Sequence, residues 1–285
     1  MANRKEKLRQ VRRRKQNFIK AASAVAATAA VCILVFFVFM YFKNKSANGD
    51  ARQSSDVGKT PVAKIGGVEI TEAEFAMYLI EQVYSIEQSV GSGVWDETFE
   101  NGETTENLAK QQTLEKIRKL KECSRRAIEE GLAADSDEIA QITSFVENQD
   151  QNALVPAALT RDYGIDKNTL KIFLTDSFYY QRVFEEYTRD FAPPPEYEKD
   201  SAAFIEQVTE YQKTQAEQNS DAEPLTEERL AQIAANAKET YLNQLKKEYF
   251  EKILTPWVEN IPIEVDEAAL SSITVAKVKA AANGL

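Results

Sequence analysis

The chain has 285 residues, of which 43% are hydrophobic and 28% charged, and its 35 basic and 45 acidic side chains give a formal net charge of −10. This length is sufficient for one large domain or two small ones with a substantial core. Because the sequence contains no histidine, it excludes His-based acid–base catalysis, Ser-His or Cys-His triads and His-ligated metal sites.

The first predicted element is a membrane-spanning helix over residues 21–42. This run carries no charge, and at ~1.5 Å per residue it spans about 30 Å of hydrocarbon. Residues 1–20 contain nine basic side chains and one acidic one, so the positive-inside rule places them in the cytoplasm and residues 43–285 outside. The run ends in MYFKNK, a poor cleavage site, which favours an uncleaved signal-anchor over a cleaved signal peptide or a lipoprotein signal.

Charge is distributed unevenly on the two sides of this predicted helix. Residues 1–45 carry a net charge of +10 and the remainder of the chain −20, which together give −10. Such an acidic ectodomain does not bind nucleic acid or anionic lipid through charge, and its simplest role is solubility. Residues 43–60 are small, polar and without periodicity, and they are predicted to be a flexible stalk.

The folded part is predicted to begin with a hairpin and a helix start. The stretch VAKIGGVEITEAEF, residues 62–75, alternates apolar residues on both sides of Gly66-Gly67, which predicts two short strands or one bent strand. Thr71 and Glu74 form the pattern of a capping box, in which each side chain bonds the backbone of the other residue.

Four amphipathic helices are predicted next. Asp135 and Asp166 are placed to begin the third and fourth, the loop after the first carries Trp95 and Phe99 as anchors, and residues 150–166 are a connector. The apolar stripes are Phe75, Tyr78, Leu79, Val83 and Ile86; Leu108, Leu114, Ile117, Leu120, Ala127 and Ile128; Ile139, Ile142 and Phe145; and Leu170, Phe173, Leu174, Ser177, Phe178, Gln181, Phe184 and Tyr187.

The C-terminal part is predicted to return to the hairpin. A long helix runs from Thr226 to about Trp257, with the stripe Leu230, Ile233, Ala237, Tyr241, Leu245, Tyr249 and Ile253, and IPIEV at 261–265 reads as a strand. A lone hairpin is marginal in water, so this strand is expected to pair with it. The predicted divisions are a tail at 1–20, the signal-anchor at 21–42, a stalk at 43–60, a helical domain at 61–190, a linker or weakly packed insert at 191–225, the returning part of the same domain at 226–270, and a tail at 271–285.

Several motifs resemble a known family. In order and spacing, GGVEITEAEF, Trp95-Asp96, AIEEGLAADSDEI and DYGIDKNTLKIFL resemble the SurA/PrsA-type extracytoplasmic chaperone domain over about residues 62–190, and the related helical arm of trigger factor is similar. The last helix with IPIEV resembles the returning segment of the family. The resemblance implies a mainly α fold closed by a small β pairing, in which a helical cradle holds unfolded secreted proteins.

Many members of this family carry a parvulin prolyl-isomerase domain before the returning helix. The corresponding segment of this chain is residues 191–225, and its 35 residues are fewer than the ~50 of a small independent domain. Parvulin sites also use histidines, which this chain lacks. The resemblance therefore favours a chaperone without catalysis of its own and argues against isomerase activity.

Aromatic side chains are the predicted surface for binding polypeptide clients. Tyr179 and Tyr180 fall off the main stripe of the fourth helix, so some aromatic surface is expected to remain exposed. The competing interpretation is that residues at this spacing pack in the core. The candidate client-binding residues are Phe75, Tyr78, Trp95, Phe173, Phe178, Tyr179, Tyr180, Phe184 and Tyr187.

No catalytic, cofactor-binding or metal-binding residue is predicted. Asp135, Asp137 and Glu138 lie where acidic side chains compensate a helix dipole. Cys32 and Cys123 are both interpreted as free thiols, and Cys123 as an inert one. The favoured function is a single-pass, membrane-anchored extracytoplasmic chaperone whose partners are unfolded or secreted polypeptides, and not nucleic acid. The alternatives are a scaffold of an envelope or secretion complex and, more distantly, a peptidyl-prolyl isomerase.

Overall fold

The computed structural model describes residues 57–95, 97–99, 102–148, 155–218 and 225–283. The predicted cytoplasmic tail, signal-anchor and most of the stalk lie outside these ranges. Within them, every helix is too short or too polar to cross a membrane. The chain divides into a first unit, Met1–Val183 with Pro256–Leu285, and a second unit, Phe184–Thr255.

A three-stranded antiparallel sheet closes the first unit. Strands β1 (Pro61–Ile65) and β2 (Val68–Thr71) form the predicted hairpin, and β3 (Ile263–Val265) pairs with β1, so the strand order is β2-β1-β3. Gly66 and Gly67 have φ angles of 56° and 88°, and this left-handed turn suits glycine because a Cβ would strain it. The predicted pairing of the two ends of the domain is confirmed.

Helices make up most of the described chain. In chain order they are α1 (Glu72–Val90), α2 (Thr105–Glu129), α3 (Ser136–Glu147), α4 (Ala157–Tyr163), α5 (Lys167–Tyr187), α6 (Tyr197–Gln218), α7 (Glu227–Val258), α8 (Glu267–Ser272) and α9 (Val275–Ala282), with a 3₁₀ turn at Ser92–Val94. The boundaries between the two units fall within α5 and α7. The fold is therefore mainly helical, as predicted.

The helix starts follow the predicted caps, with one difference. Thr71 accepts a hydrogen bond from the backbone N–H of Glu74 at 3.2 Å, and Asp166 accepts one from Thr169 at 2.8 Å. Asp135 forms a complete capping box with Glu138. The Glu74 side chain, which the capping-box pattern predicted to reach back to Thr71, instead pairs with a lysine of α2, because its side of α1 is buried.

The apolar stripe of α1 forms the centre of the core of the first unit. All five side chains predicted for this stripe are at most 1% exposed, and burying a side chain of this size contributes about 1.5–3 kcal/mol. In α2, however, Ile128 is 61% exposed, so the prediction for that residue is wrong. It lies at the C-terminal end of the helix, where periodicity continues beyond the packed face.

Two stretches predicted to lack helices contain them. Helix α4 lies within the predicted connector at 150–166, and α9 lies within the predicted tail at 271–285. Val275, Val278 and Ala281 of α9 are at most 2% exposed, and this helix packs against α1 and α4. With eight residues α9 has too few positions to show a periodic stripe, and its stability comes from tertiary contact.

The second unit has little core of its own. Among its described residues, Ala237, Phe250 and Leu254 are the buried apolar side chains, and α6 contributes none. The predicted stripe of α7 included Tyr249, which is 41% exposed, whereas its neighbour Phe250 is buried. A shift of one residue rotates a helix face by about 100°, which accounts for the error.

Candidate functional site

A buried polar cluster joins three helices of the first unit. It comprises Glu74 and Tyr78 of α1, Lys121 and Ser124 of α2, and Asp176 of α5. The Tyr78 hydroxyl donates to Asp176 Oδ2 at 3.0 Å, and Ser124 Oγ donates to Asp176 Oδ1 at 2.9 Å. Lys121 Nζ lies 2.7 Å from both Asp176 Oδ2 and Glu74 Oε1.

Burial and charge together set the ionisation of this polar cluster. Burial raises the pKa of Glu74, and Lys121 offsets part of this rise. Burial, followed by the Asp176 and Glu74 carboxylates, raises the pKa of Tyr78 well above its ordinary value of 10.0. Burial lowers the pKa of Lys121, but the two carboxylates outweigh it and the net shift is upward. The cluster thus holds a protonated lysine between two acidic side chains, beside a neutral phenol.

This cluster was not predicted from the sequence, although the sequence contains a signal for it. Asp176 follows Phe173 by three residues and therefore lies on the buried face of α5, where a carboxylate is costly unless it is paired. Tyr78 likewise lies on the buried apolar stripe of α1. A charged residue on an apolar stripe is thus evidence of a buried partner, but only the fold identifies that partner as Lys121.

We expect the unfolding free energy to fall as the pH rises above about 10, since Tyr78 and Lys121 retain protons in the folded state that the unfolded chain releases. An upward shift gives stability that is complete below the ordinary pKa, 10.0 for tyrosine and 10.5 for lysine, and that is lost as the pH rises through the folded value. Tyr78→Phe removes the contribution of the phenol. In urea unfolding between about pH 7 and 11, the unfolding free energy of this variant should decline less steeply with pH than that of the parent. An equally steep decline would contradict the prediction.

Three of the predicted client-binding residues belong to the core. Phe75 and Tyr78 are 0% exposed and Phe173 is 2% exposed, and the Tyr78 and Phe173 ring centroids lie 5.1 Å apart. The assignment of these three residues to a client-binding surface is wrong, because their side chains do not reach solvent. Their helical spacing is that of a core stripe, which was the competing interpretation.

Trp95 serves as an anchor of the loop after α1. Its indole Nε1 donates to Glu87 Oε1 at 2.6 Å, and its partly buried ring packs against the core. Lys279 Nζ of α9 lies 6.0 Å from the ring centroid and also pairs with Glu87. Trp95 therefore joins the loop, α1 and α9 within the first unit.

Part of the aromatic group of α5 lies at the surface of the first unit. Phe178, Tyr179 and Tyr180 are half-buried, and Tyr180 packs against the core. The rings of Phe178 and Tyr179 meet edge to face with centroids 6.1 Å apart, and the Arg182 guanidinium lies 5.0 Å from the Phe178 centroid. Arg182 also pairs with Glu138, so the acidic start of α3 is used in capping and ion pairing.

The remaining predicted residues, Phe184 and Tyr187, belong to the second unit and are half-buried there. Phe184 packs edge to face against Phe250, with ring centroids 5.5 Å apart. A further aromatic group of this unit was not predicted. It consists of Tyr197, Phe204 and Tyr241, and we call it the aromatic patch.

The Tyr241 ring of the aromatic patch stacks on both other rings, with centroid distances of 5.9 Å to Tyr197 and 5.5 Å to Phe204. All three side chains are half-buried. Tyr197 and Phe204 are seven residues apart and so occupy the same face of α6. This seven-residue spacing is the feature of the sequence from which the patch could have been predicted.

Comparison with known proteins identifies the family of this chain. A family model described as the SurA-like N-terminal domain matches residues 8–190, which is more than half of the chain. No curated protein and no solved structure gives a match. The resemblance drawn from the sequence motifs is confirmed. The chain belongs to the family of SurA-like N-terminal domains, which in general bind unfolded polypeptides and have a chaperone-type role.

Proposed function

We propose that this protein is a membrane-anchored extracytoplasmic chaperone that holds unfolded or secreted polypeptides through surface aromatic side chains, without catalysis of its own. One observation carries the proposal. In the second unit, every aromatic side chain except that of Phe250 is half-buried or exposed, and Tyr211 is 61% exposed. Monomeric soluble proteins seldom leave large apolar surface uncovered unless that surface binds a partner.

The energetics of such a surface suit weak, sequence-tolerant binding. Removing about 400 Å² of apolar area from water contributes roughly 10 kcal/mol at 25 cal/mol per Å². Much of this is offset by the cost of ordering a flexible client chain. The remainder is a reversible interaction that depends little on the direction or the exact sequence of the client, which is what a holding chaperone requires.

The proposed location and the absence of catalysis rest on the sequence. The uncharged run at 21–42, with basic residues before it, supports a signal-anchor with residues 43–285 outside the cytoplasmic membrane. Many members of the family carry a parvulin domain at the position of residues 191–225, and in this chain that segment contains α6. The chain also has no histidine. Both observations support a chaperone rather than a peptidyl-prolyl isomerase.

The test is the aggregation of a chemically denatured secreted protein after dilution, followed by light scattering. We expect the full-length chain in mild detergent to suppress aggregation at near-stoichiometric amounts, relative to detergent alone. Absence of suppression would overturn the proposal and favour the scaffold alternative, for which one stable, stoichiometric partner would then be sought.

A pair of double variants identifies the surface responsible. Tyr179→Ser with Tyr211→Ser should reduce the suppression by roughly half, because it removes apolar area that a client would cover. The matched control is Val90→Ser with Ile128→Ser, since these side chains are 40% and 61% exposed but are aliphatic. Far-UV circular dichroism should show equal helicity in all proteins. Equal losses in both double variants would contradict the assignment.

A further inference from the structure

The aromatic patch of the second unit has carboxylates close around it. Desolvation raises the pKa of Tyr241, and the charges of Asp200, Glu248 and Glu196 add to this rise. Asp200 lies three residues after Tyr197 and four before Phe204, so it shares their face of α6. Glu196 adjoins Tyr197, and Glu248 lies about two turns beyond Tyr241 in α7. The patch combines half-buried aromatic rings with a negative rim.

The whole second unit carries the same sign of charge. Residues 184–255 contain sixteen acidic and eight basic side chains, a net charge of −8. An apolar surface in such a field attracts cationic segments and repels anionic ones. Charge thus lets the unit discriminate between cationic and anionic segments, which apolar burial alone does not do.

A lysine of the unit itself shows how a cation is held at this patch. Lys238 Nζ donates to both carboxylate oxygens of Glu198, at 3.0 and 3.3 Å, and lies 5.6 Å from the ring centroid of Tyr197. An ammonium group is thus shared between a carboxylate and the face of an aromatic ring, an arrangement in which both partners attract it. The acidic rim and the accessible part of the half-buried rings offer the same pair of partners to a cation from another chain.

We propose that the aromatic patch selects unfolded segments in which a lysine or arginine neighbours an aromatic or aliphatic side chain. This inference rests on the proposed function and names its client class. Burial of the apolar side chain supplies most of the affinity, while the basic neighbour is drawn to Glu196, Asp200 or Glu248. Segments with acidic neighbours meet like charge and bind less tightly.

The test compares three fluorescein-labelled unfolded peptides of equal length and equal aromatic content, whose neighbouring positions carry lysine, serine or glutamate. Affinities for the full-length chain are measured by fluorescence anisotropy at about 50 and 300 mM salt. We expect the lysine peptide to bind about ten-fold more tightly than the glutamate peptide at low salt, and the difference to shrink at high salt because the contacts are exposed.

Charge-neutralising variants locate the selection. Neutralising the rim should remove most of the preference for lysine over glutamate while leaving the affinity for the serine peptide unchanged. The control removes three exposed carboxylates of the first unit and makes the same change in net charge. The rim variant is Glu196→Gln, Asp200→Asn and Glu248→Gln, and the control variant is Glu69→Gln, Glu259→Gln and Glu264→Gln.

Each failure is distinguishable. If all three peptides bind equally, or if the control variant loses as much preference as the rim variant, the charge selection at the patch is overturned while the proposed function stands. If none of the peptides binds, the proposed holding function is overturned with it.

Discussion

Lys121→Met is expected to lower the free energy of unfolding of the first unit by about 3–5 kcal/mol, because it leaves buried carboxylates without their cation. Lys121 Nζ lies 2.7 Å from oxygens of both Glu74 and Asp176, and each of these residues is 6% exposed. The methionine fills a similar volume, so the loss reports charge rather than a cavity. Urea unfolding followed by tryptophan fluorescence measures it, since both tryptophans, Trp95 and Trp257, belong to the first unit.

The matched control is the same substitution at an exposed ion pair. Lys171 pairs with Glu147, whose side chain is 50% exposed, and Lys171→Met should change stability little, because water solvates the remaining carboxylate. Adding Glu74→Gln and Asp176→Asn to Lys121→Met should recover part of the loss, since no buried charge then remains unpaired. Equal effects of Lys121→Met and Lys171→Met would show that the polar cluster contributes no more than a surface pair.

Gly164→Ala is expected to destabilise the first unit by at least about 3 kcal/mol, since it adds a steric clash to an unfavourable backbone conformation. Gly164 follows α4 with a φ of 65°, and a Cβ there would lie 2.2 Å from the carbonyl oxygen of Val57. The contact is reciprocal, because a Cβ on Gly58 would lie 2.1 Å from the carbonyl oxygen of Tyr163. Two glycines thus let the start of the described chain lie backbone to backbone with the end of α4.

Gly131→Ala separates the cost of the steric clash from the cost of the backbone conformation. Gly131 has a φ of 73°, but a Cβ there would meet nothing within 4 Å. We expect this variant to lose only about 1 kcal/mol, the cost of the left-handed conformation for alanine. Tryptophan-monitored urea unfolding of both variants gives the comparison. Similar losses at the two positions would mean that the chain near Val57 moves aside at little cost.

Local features of the fold were predictable from the sequence because their signals are local. The caps at Thr71, Asp135 and Asp166, the Gly66-Gly67 turn and the stripe of α1 each depend on residues within a few positions of one another. The pairing of IPIEV with the hairpin was also predictable, since a lone hairpin needs a partner. The family followed from the order of several such motifs.

Tertiary structure alone decided which apolar residues are core and which are surface. Phe173 and Phe178 look alike in the sequence, yet only Phe173 is covered by α1, and the difference depends on how far α5 is rotated against its neighbours. Helix α9 was missed because eight residues carry too weak a local preference, and its packing on α1 and α4 stabilises it.

The sequence by itself therefore determined the helical class, the hairpin and its closing strand, and the family. Only the tertiary structure placed Lys121 beside both Glu74 and Asp176 and stacked Tyr241 on Tyr197 and Phe204. The physical reason is the sequence separation over which each kind of interaction acts. Periodicity and capping act over one or two turns of chain, whereas ion pairs and ring contacts join residues tens of positions apart, and their energies exist only after the fold has brought those residues together.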